Sequence, residues 1–259
     1  MEPEFSGKSA LVFGGATGIG AAAARLLLER GANVTVADRQ PEVARIWLEE
    51  FDADRVSVVS CDIAQRDDPS QAVAAHLNQF GGLDIAVNSA GIQRYGTLET
   101  TDEGGWDEVM EVNLKGAFRV AKACIAALRV SKGNIVFVAS VQSFGSQRNV
   151  TAYTVSKHGL IGLTKSAAVD YARHGVRVNA VCPGTVDTPM LHWAASLDPN
   201  PAAVMETVNR IHPLGRIAQA SEVAEVIAFL ASPRASFVTG AAYLVDGGLL
   251  LPIGGEPNA

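Results

Sequence analysis

The sequence is poor in cysteine, in positive charge and in long apolar runs. Its 3 cysteines, Cys61, Cys124 and Cys182, lack CxxC or metal-ligand spacing, so we expect no disulfides, no metal site and a reducing, cytoplasmic location. The 21 Lys and Arg face 27 Asp and Glu, a net charge of −6 without a basic cluster, which speaks against nucleic-acid binding. No run approaches the roughly 18 apolar residues that span a bilayer, so no membrane partner is expected.

The chain instead alternates short β-branched runs with longer amphipathic segments. The runs cover residues 9–14, 33–38, 56–61, 84–88, 134–140, 176–181 and 242–245. Amphipathic segments lie near residues 18–30, 42–51, 69–80, 106–130, 152–174 and 221–230. Nearly continuous apolar runs are typical of parallel strands covered by helices on both faces. The alternation therefore predicts one α/β domain over residues 1–259, a doubly wound parallel sheet of about seven strands.

One stretch interrupts this alternation between the sixth and seventh predicted strands. Residues 190–216 have a mixed composition and no strand pattern. A long irregular insertion in an otherwise regular domain is often a functional lid. We therefore expect these residues to cover a substrate.

A glycine-rich turn joins the first predicted strand to the first helix, with the spacing Gly14-x3-Gly18-x-Gly20. The first glycine permits a tight turn, and the other two let the backbone approach a pyrophosphate and the helix pack closely. The helix N-terminus offers N–H groups to an anion. Asp38 ends the second strand, 18 residues past Gly20, near the position of the acidic residue that binds the adenosine ribose. The pattern predicts a Rossmann-like site for NAD.

Asp38 also bears on the choice between NAD and NADP. Its carboxylate can accept hydrogen bonds from ribose hydroxyls, whereas a 2′-phosphate at ~4 Å would cost about 4 kcal/mol of repulsion. We therefore expect NAD. NADP is the alternative, because Arg39 can turn toward a 2′-phosphate.

Tyr153 and Lys157 are four residues apart in a predicted helix, so their side chains share one face, one turn apart. A tyrosine with a pKa of about 10 is a poor base at neutral pH. A neighbouring ammonium favours the phenolate and lowers that pKa. The pair is therefore a candidate for exchanging a proton with an alcohol or a carbonyl oxygen.

Taken together, these motifs resemble the short-chain dehydrogenase/reductase family over essentially the whole chain, and within it the NAD(P)-dependent aldose 1-dehydrogenases. The matching features, in the family's order, are the glycine turn, Asp62, the run Asn88-Ser89-Ala90-Gly91, Asn113, Ser140, Tyr153 with Lys157, and the run from Pro183 to Thr188. Two positions depart from the family pattern. Phe13 stands where a threonine is usual, and Ser89 replaces an asparagine.

The resemblance implies a role for each matching residue. Ser140 would bind the substrate oxygen, Tyr153 would be the general acid/base, Lys157 would lower the tyrosine pKa and hold the nicotinamide ribose, and Asn113 would order a water. The implied cofactor-binding residues are Gly14, Thr17, Gly18, Ile19, Gly20, Asp38, Arg39, Asp62, Ile63, Asn88, Ala90, Gly91, Tyr153, Lys157, Pro183, Gly184, Val186 and Thr188. A homotetramer built through the helices over residues 106–130 and 152–174 and the last strand is also implied.

Polar side chains near the expected substrate pocket indicate a hydroxylated substrate. They are Gln93, Arg94, Gln142, Gln147, Asn149, His192 and Trp193. A site built to hydrogen-bond hydroxyls discriminates strongly against substrates that lack them, so we expect hydride exchange between NAD(P) and the CH–OH group of a sugar or polyol. One alternative is a reductase of 3-oxoacyl thioesters or of a cyclic ketone. Another is a nucleotide-sensing regulator without catalysis.

Overall fold

The structure is a computed structural model that describes residues 3–252. Its strands are β1 (Ser9–Phe13), β2 (Asn33–Asp38), β3 (Val56–Ser60), β4 (Ile85–Asn88), β5 (Asn134–Val138), β6 (Arg177–Pro183), β7 (Val186–Asp187), β8 (Ala218–Gln219) and β9 (Ala242–Val245). Its α-helices are α1 (Gly18–Glu29), α2 (Pro41–Leu48), α3 (Asp68–Phe80), α4 (Glu103–Met110), α5 (Ala117–Ser131), α6 (Thr151–Tyr171), α7 (Pro189–Ser196), α8 (Pro201–Arg210) and α9 (Ala220–Ala231).

Seven strands form one parallel sheet in the order β3-β2-β1-β4-β5-β6-β9. Alternate residues of β1 point to opposite faces. Ala10 and Val12 join a core with α1, α2 and α9, while Leu11 and Phe13 join a core with α3, α5 and α6. This confirms the predicted α/β doubly wound sheet. None of the helices within residues 3–252 is long and apolar enough to cross a membrane.

The strand order reverses between β1 and β4, and this places the candidate site. The chain runs outward from β1 through β2 to β3 and then returns to form β4 on the other side of β1. In open α/β sheets, ligands bind beyond the carboxyl ends of the strands at such a switch point. The turn after β1 and the turn after β4 therefore face the same crevice.

Two helical regions differ from the sequence-based expectation. The segment predicted as one helix over residues 106–130 is interrupted by a wider helical turn at Glu111–Gly116, of the kind found often at functional sites. Residues 190–216 are not irregular, because most of them belong to α7 and α8. Each helix begins with a proline after a capping side chain, Thr188 or Asn200, a start signal that is readable in the sequence.

The glycine turn brings three backbone segments into contact. Gly14 has φ +70, and a Cβ atom on it would lie 2.4 Å from the Ala90 nitrogen in the turn after β4. A Cβ atom on Gly20 would lie 2.0 Å from the carbonyl oxygen of Gly14. Only glycine allows α1 to start this close to the turn.

We predict that Gly20→Ala lowers the free energy of unfolding by about 1–3 kcal/mol, because the new methyl meets backbone that cannot move aside. Gly162→Ala in α6 is the matched control. A Cβ atom there has no neighbour within 4 Å, so the better helix propensity of alanine should stabilise the protein by up to about 1 kcal/mol. Urea unfolding measures both changes. Equal free energies of unfolding for Gly20→Ala and Gly162→Ala would contradict the close backbone contact described for this turn.

Candidate active site

A cleft of about 660 Å³ runs along the carboxyl ends of the parallel strands. The turns after β1, β2, β4, β5 and β6 each contribute to its wall through Gly14, Arg39, Gly91, Ser140 and Gly184, respectively. It is therefore the crevice that the sheet topology predicts.

Most of the residues proposed from the sequence to hold the cofactor line this cleft. They are Gly14, Thr17, Gly18, Ile19, Asp38, Arg39, Asp62, Ile63, Ala90, Gly91, Tyr153, Lys157, Pro183, Gly184, Val186 and Thr188. Gly20 and Asn88 lie behind the wall instead. Gly20 faces the carbonyl of Gly14. Asn88 is buried beside Phe13 in the strand register, and its Oδ1 has no hydrogen-bond partner within residues 3–252.

Asp38 is held rigidly at one end of the cleft. Its Oδ2 accepts a hydrogen bond of 3.0 Å from the Ala16 backbone N–H, and its Oδ1 accepts one of 3.0 Å from the Gln40 N–H. Both bonds fix the carboxylate at the end of β2, next to the glycine turn. A fixed carboxylate there suits the two hydroxyls of a ribose.

The middle of the cleft has the shape and polarity that a dinucleotide needs. The N-terminus of α1 carries no side-chain cap in the part of the chain that the structure describes, so its N–H groups are free to bind a pyrophosphate. A Cβ atom on Gly18 would lie 3.3 Å from Thr188, and one on Gly91 would lie 3.6 Å from Lys157 Nζ. Because Gly18 and Gly91 have no side chains, the cleft stays open where the backbone must approach a dinucleotide. The residues present fit NAD(P).

Ser140 lies two residues beyond β5, at the other end of the cleft. It begins a short 3₁₀ turn, Val141–Ser143, and its Oγ accepts a hydrogen bond of 3.1 Å from the Gln142 N–H. The hydroxyl is also hydrogen-bonded to the Tyr153 phenol. The two groups that the sequence assigns to the substrate oxygen are therefore in contact.

Lys157 is almost fully buried on the same face of α6 as Tyr153. Its Nζ donates a hydrogen bond of 2.9 Å to the Val138 carbonyl and lies 5.5 Å from the centre of the Tyr153 ring. Burial lowers the pKa of Lys157 to about 8. A buried ammonium persists only with compensating contacts, which here are a carbonyl and an aromatic ring.

The pKa of Tyr153 differs from the sequence-based expectation. Burial raises the pKa of the phenol to about 12, and the hydrogen bond with Ser140 lowers it only in part. The expected lowering by Lys157 is therefore wrong for the protein's own groups. Removing the phenolate from water is the largest effect on this pKa, and the sequence spacing alone could not show how deeply the phenol is buried.

Asn113 lies behind the cleft wall, in the wider turn between α4 and α5. Its Oδ1 accepts a hydrogen bond of 2.8 Å from the Ile92 N–H, and its Nδ2 donates to the Ile92 carbonyl at 2.9 Å and to Ser156 Oγ at 3.1 Å. A Cβ atom on Gly91 would lie 3.4 Å from its Oδ1. Asn113 thus fixes the turn after β4 directly beside Lys157.

The seven polar residues proposed for the substrate divide into two groups. Gln93, Gln142 and Gln147 line the cleft. The other four, Arg94, Asn149, His192 and Trp193, do not line it. The Arg94 guanidinium binds both carboxylate oxygens of Glu108 at 2.8 and 2.7 Å, and His192 Nε2 pairs with Asp187 Oδ1 at 2.7 Å.

Asn149 and Trp193 are also placed outside the cleft. Asn149 has φ 61, and its carbonyl accepts a hydrogen bond of 2.7 Å from the Gly96 N–H. Trp193 stacks at 6.2 Å on Tyr95, and it is Tyr95 that reaches the cleft. Substrate binding by these two residues therefore stays a prediction from the sequence.

Sequence reasoning missed an apolar wall in the same cleft. Its members come mainly from α7, α8, the turns after β4 and β5, and the segment after β9: Tyr95, Val141, Met190, Leu191, Ala194, Val204, Val208, Ile211, Leu249 and Leu250. Val204, Val208 and Ile211 have the spacing of one helical face. That signal becomes readable once Pro201 is recognised as a helix start.

A dinucleotide cradle beside a buried serine, tyrosine and lysine defines a nicotinamide-dependent oxidoreductase. A family model described as enoyl-(acyl carrier protein) reductase matches residues 14–250. The 2,5-dichloro-2,5-cyclohexadiene-1,4-diol dehydrogenase of Sphingobium indicum is 40% identical, with 95% of this chain and 98% of that protein covered. The cyclohexanol dehydrogenase of an Acinetobacter species is 37% identical, with 95% and 96% covered.

The solved structure of the Thermoplasma acidophilum aldohexose dehydrogenase is also similar, with a TM-score of 0.89 and 34% identity over 100% of both chains. The chain belongs to the short-chain dehydrogenase/reductase family. It is an oxidoreductase that acts on CH–OH groups and uses NAD(P).

We predict that Lys157→Met abolishes turnover and raises the free energy of unfolding at pH 7 by about 1–2 kcal/mol. Burying the ammonium costs about 3 kcal/mol, at 1.36 kcal/mol for each unit by which the pKa falls. Losing the hydrogen bond to the Val138 carbonyl lowers the free energy of unfolding of the variant by about 1 kcal/mol. The exposed Lys165→Met on the same helix is the control and should change stability by less than about 0.5 kcal/mol.

The stability difference between Lys157→Met and the wild type should depend on pH in a defined direction. The cost of the buried ammonium is complete below pH 8, and it disappears as the pH rises from about 8 toward the ordinary lysine pKa. The stability advantage of Lys157→Met over the wild type should therefore shrink over that range. A less stable variant at pH 7, or an advantage that does not change with pH, would contradict this electrostatic account.

Proposed function

We propose that this chain oxidises a secondary alcohol on a small alicyclic ring, with NAD as the hydride acceptor. The observation that carries the proposal is the apolar wall, which shares one cleft with Ser140 and Tyr153. Apolar pockets with a few placed polar groups bind compact hydrophobic ligands. The similar dehydrogenases named for cyclohexanol and for a cyclohexadiene diol support the same substrate class.

The chain's own residues handle the proton of the reacting hydroxyl. Ser140 holds the substrate oxygen beside the Tyr153 phenol, and Tyr153 exchanges the proton with that oxygen. Lys157 acts on Tyr153 from the same helix face and binds the nicotinamide ribose, while Asn113 orders a water that links Lys157 to solvent. The nicotinamide ring, when bound, supplies the hydride chemistry.

A sugar or polyol is the second candidate substrate, because three glutamines line the cleft. Two of them are already engaged. Gln142 Nε2 donates to Gln147 Oε1 at 3.3 Å, and Gln142 Oε1 accepts from the Thr154 hydroxyl at 3.0 Å. A polyhydroxylated substrate that binds Gln142 would compete with these bonds, whereas a ring with one or two hydroxyls can bind at Ser140 and Tyr153 without breaking them. The network therefore favours the alicyclic alcohol.

We propose NAD over NADP, on the basis of the rigid Asp38 carboxylate. Its two oxygens are fixed by backbone N–H groups, so it cannot turn away from a 2′-phosphate. Arg39 lines the same end of the cleft. Its guanidinium is the group that could attract the 2′-phosphate of NADP. The repulsion of about 4 kcal/mol between Asp38 and a 2′-phosphate would outweigh the attraction of the exposed Arg39 guanidinium.

We also propose that residues 1–259 act as one domain, that residues 190–216 are its substrate lid, and that it works as a homotetramer. Two exposed apolar surfaces support the assembly. One is an open groove between α4, α5 and α6, where Leu114, Phe118 and Leu163 lie among charged residues. The other is at β9, an edge strand of the sheet that carries the exposed Tyr243 and follows the exposed Phe237. Contiguous exposed apolar patches are typical of subunit interfaces.

The test is a set of initial rates with cyclohexanol, 1,4-cyclohexanediol and several aldoses, each with NAD and with NADP. We expect kcat/KM to be at least about tenfold higher for the ring alcohols and at least about a hundredfold higher with NAD. Val208→Asn should lower the ring-alcohol rate selectively. The exposed Val130→Asn on α5 is the control and should leave the rate unchanged.

Faster oxidation of aldoses would replace the alicyclic substrate by a sugar. Equal rates with NADP would overturn the role given to Asp38. Activity confined to 3-oxoacyl thioesters would overturn both candidate substrates while leaving the reaction class intact.

A further inference from the structure

A buried histidine joins the end of α8 to the loop that follows β6. His212 lies two residues beyond α8 and is 2% exposed. Its Nδ1 lies 2.6 Å from the Val208 carbonyl in α8, and its Nε2 lies 3.1 Å from the Thr185 backbone nitrogen. Val208 belongs to the apolar wall, and Thr185 belongs to the cofactor side of the cleft. One imidazole ring therefore touches both halves of the site.

The two partners determine where the ring carries its proton. A carbonyl can only accept a hydrogen bond, so Nδ1 must donate to Val208. A backbone N–H can only donate, so Nε2 must accept from Thr185. His212 is therefore the neutral Nδ1–H tautomer, and a second proton on Nε2 would break the bond to Thr185.

The surrounding chain is shaped to admit this ring. A Cβ atom on Gly184 would lie 2.8 Å from Nε2, and one on Gly247 would lie 3.6 Å from Cδ2. The neighbouring Asn209 reinforces the attachment, because its Oδ1 accepts a hydrogen bond of 3.0 Å from the Ile217 N–H. The carboxyl end of α8 is thus fixed to backbone on both of its flanks.

We propose that His212 is a positioning residue that couples the lid helix α8 to the loop of Gly184 and Thr185 in the cofactor site. The inference rests on the proposed function, since it takes α8 to be the wall that closes on an alcohol. Through His212, the position of Val208 is set by the loop that lines the nucleotide part of the cleft. His212 thereby links the helix that contacts the substrate to the loop that contacts the cofactor.

The test compares His212→Leu with His212→Gln. Leucine removes both hydrogen bonds, but only the bond to Thr185 joins α8 to the loop. Without that one bond, α8 should spend less time against the substrate, and KM for the alcohol should rise about tenfold. The value of kcat should stay within about threefold, because Ser140 and Tyr153 are untouched. Glutamine keeps an amide oxygen that can accept from Thr185, and it should restore KM to within about threefold.

His174→Leu is the matched control, because this partly buried histidine lies just beyond the C-terminal end of α6 and does not line the cleft; it should change neither parameter. Thermal unfolding shows whether each variant is folded. A fall in kcat at unchanged KM would mean that the ring only supports folding, and this would overturn the proposal. A His212→Gln variant as impaired as His212→Leu would overturn it as well.

A second measurement does not depend on activity. In the wild-type protein, ¹⁵N NMR of the His212 ring should show a one-bond N–H coupling at Nδ1 and none at Nε2, near neutral pH. The opposite tautomer would overturn the proposal even if turnover followed expectation. If no alcohol is oxidised but the Nδ1–H tautomer is found, the proposed function fails while the connection between α8 and the loop stands.

Discussion

The site depends on an ammonium group that is held out of water beside a phenol. Lys157 and Tyr153 stand one helical turn apart and are both buried, and burial acts on their two pKa values in opposite directions. Burial brings the pKa of Lys157 closer to neutral pH, whereas it moves the pKa of Tyr153 further away from neutral pH. Because the two groups are adjacent, the first proton that the pair releases leaves at the lower of these pKa values.

The fold provides the conditions for this pair. The parallel strands end at one edge, so the backbone carbonyl of Val138 meets Lys157 while Ser140, two residues later, meets Tyr153. The helical interruption before α5 places Asn113 against the turn after β4, which closes the space around Lys157 from the other side. Helix α6 alone would leave both side chains in water, with ordinary proton affinities.

Much of the architecture could be predicted from local sequence. Apolar runs gave the seven strands of the main sheet because a strand buried on both faces has to be apolar throughout. The glycine turn and Asp38 were readable because their roles depend on backbone approach and on a fixed spacing. The start of α8 is also readable from Asn200 and Pro201, because a capping side chain before a proline marks a helix N-terminus.

Other features depend on contacts between distant parts of the chain. The place of Arg94 in the sequence predicts a substrate ligand, but Glu108 on α4 binds it. The direction of the Tyr153 pKa is set by burial, which exists only after folding. Likewise, the apolar wall combines segments that are far apart in the chain, from Tyr95 to Leu250, and local sequence does not show that they meet.

The pH dependence of kcat for alcohol oxidation, in the wild type and in Tyr153→Phe, tests the central claim most directly. From about pH 6 the wild-type rate should rise and then level off above about pH 8, where the Lys157 pKa lies. Tyr153→Phe should lose about a thousandfold in kcat at every pH while still binding NAD. A wild-type rate that does not change with pH, or a phenylalanine variant that keeps most of its activity, would contradict the account.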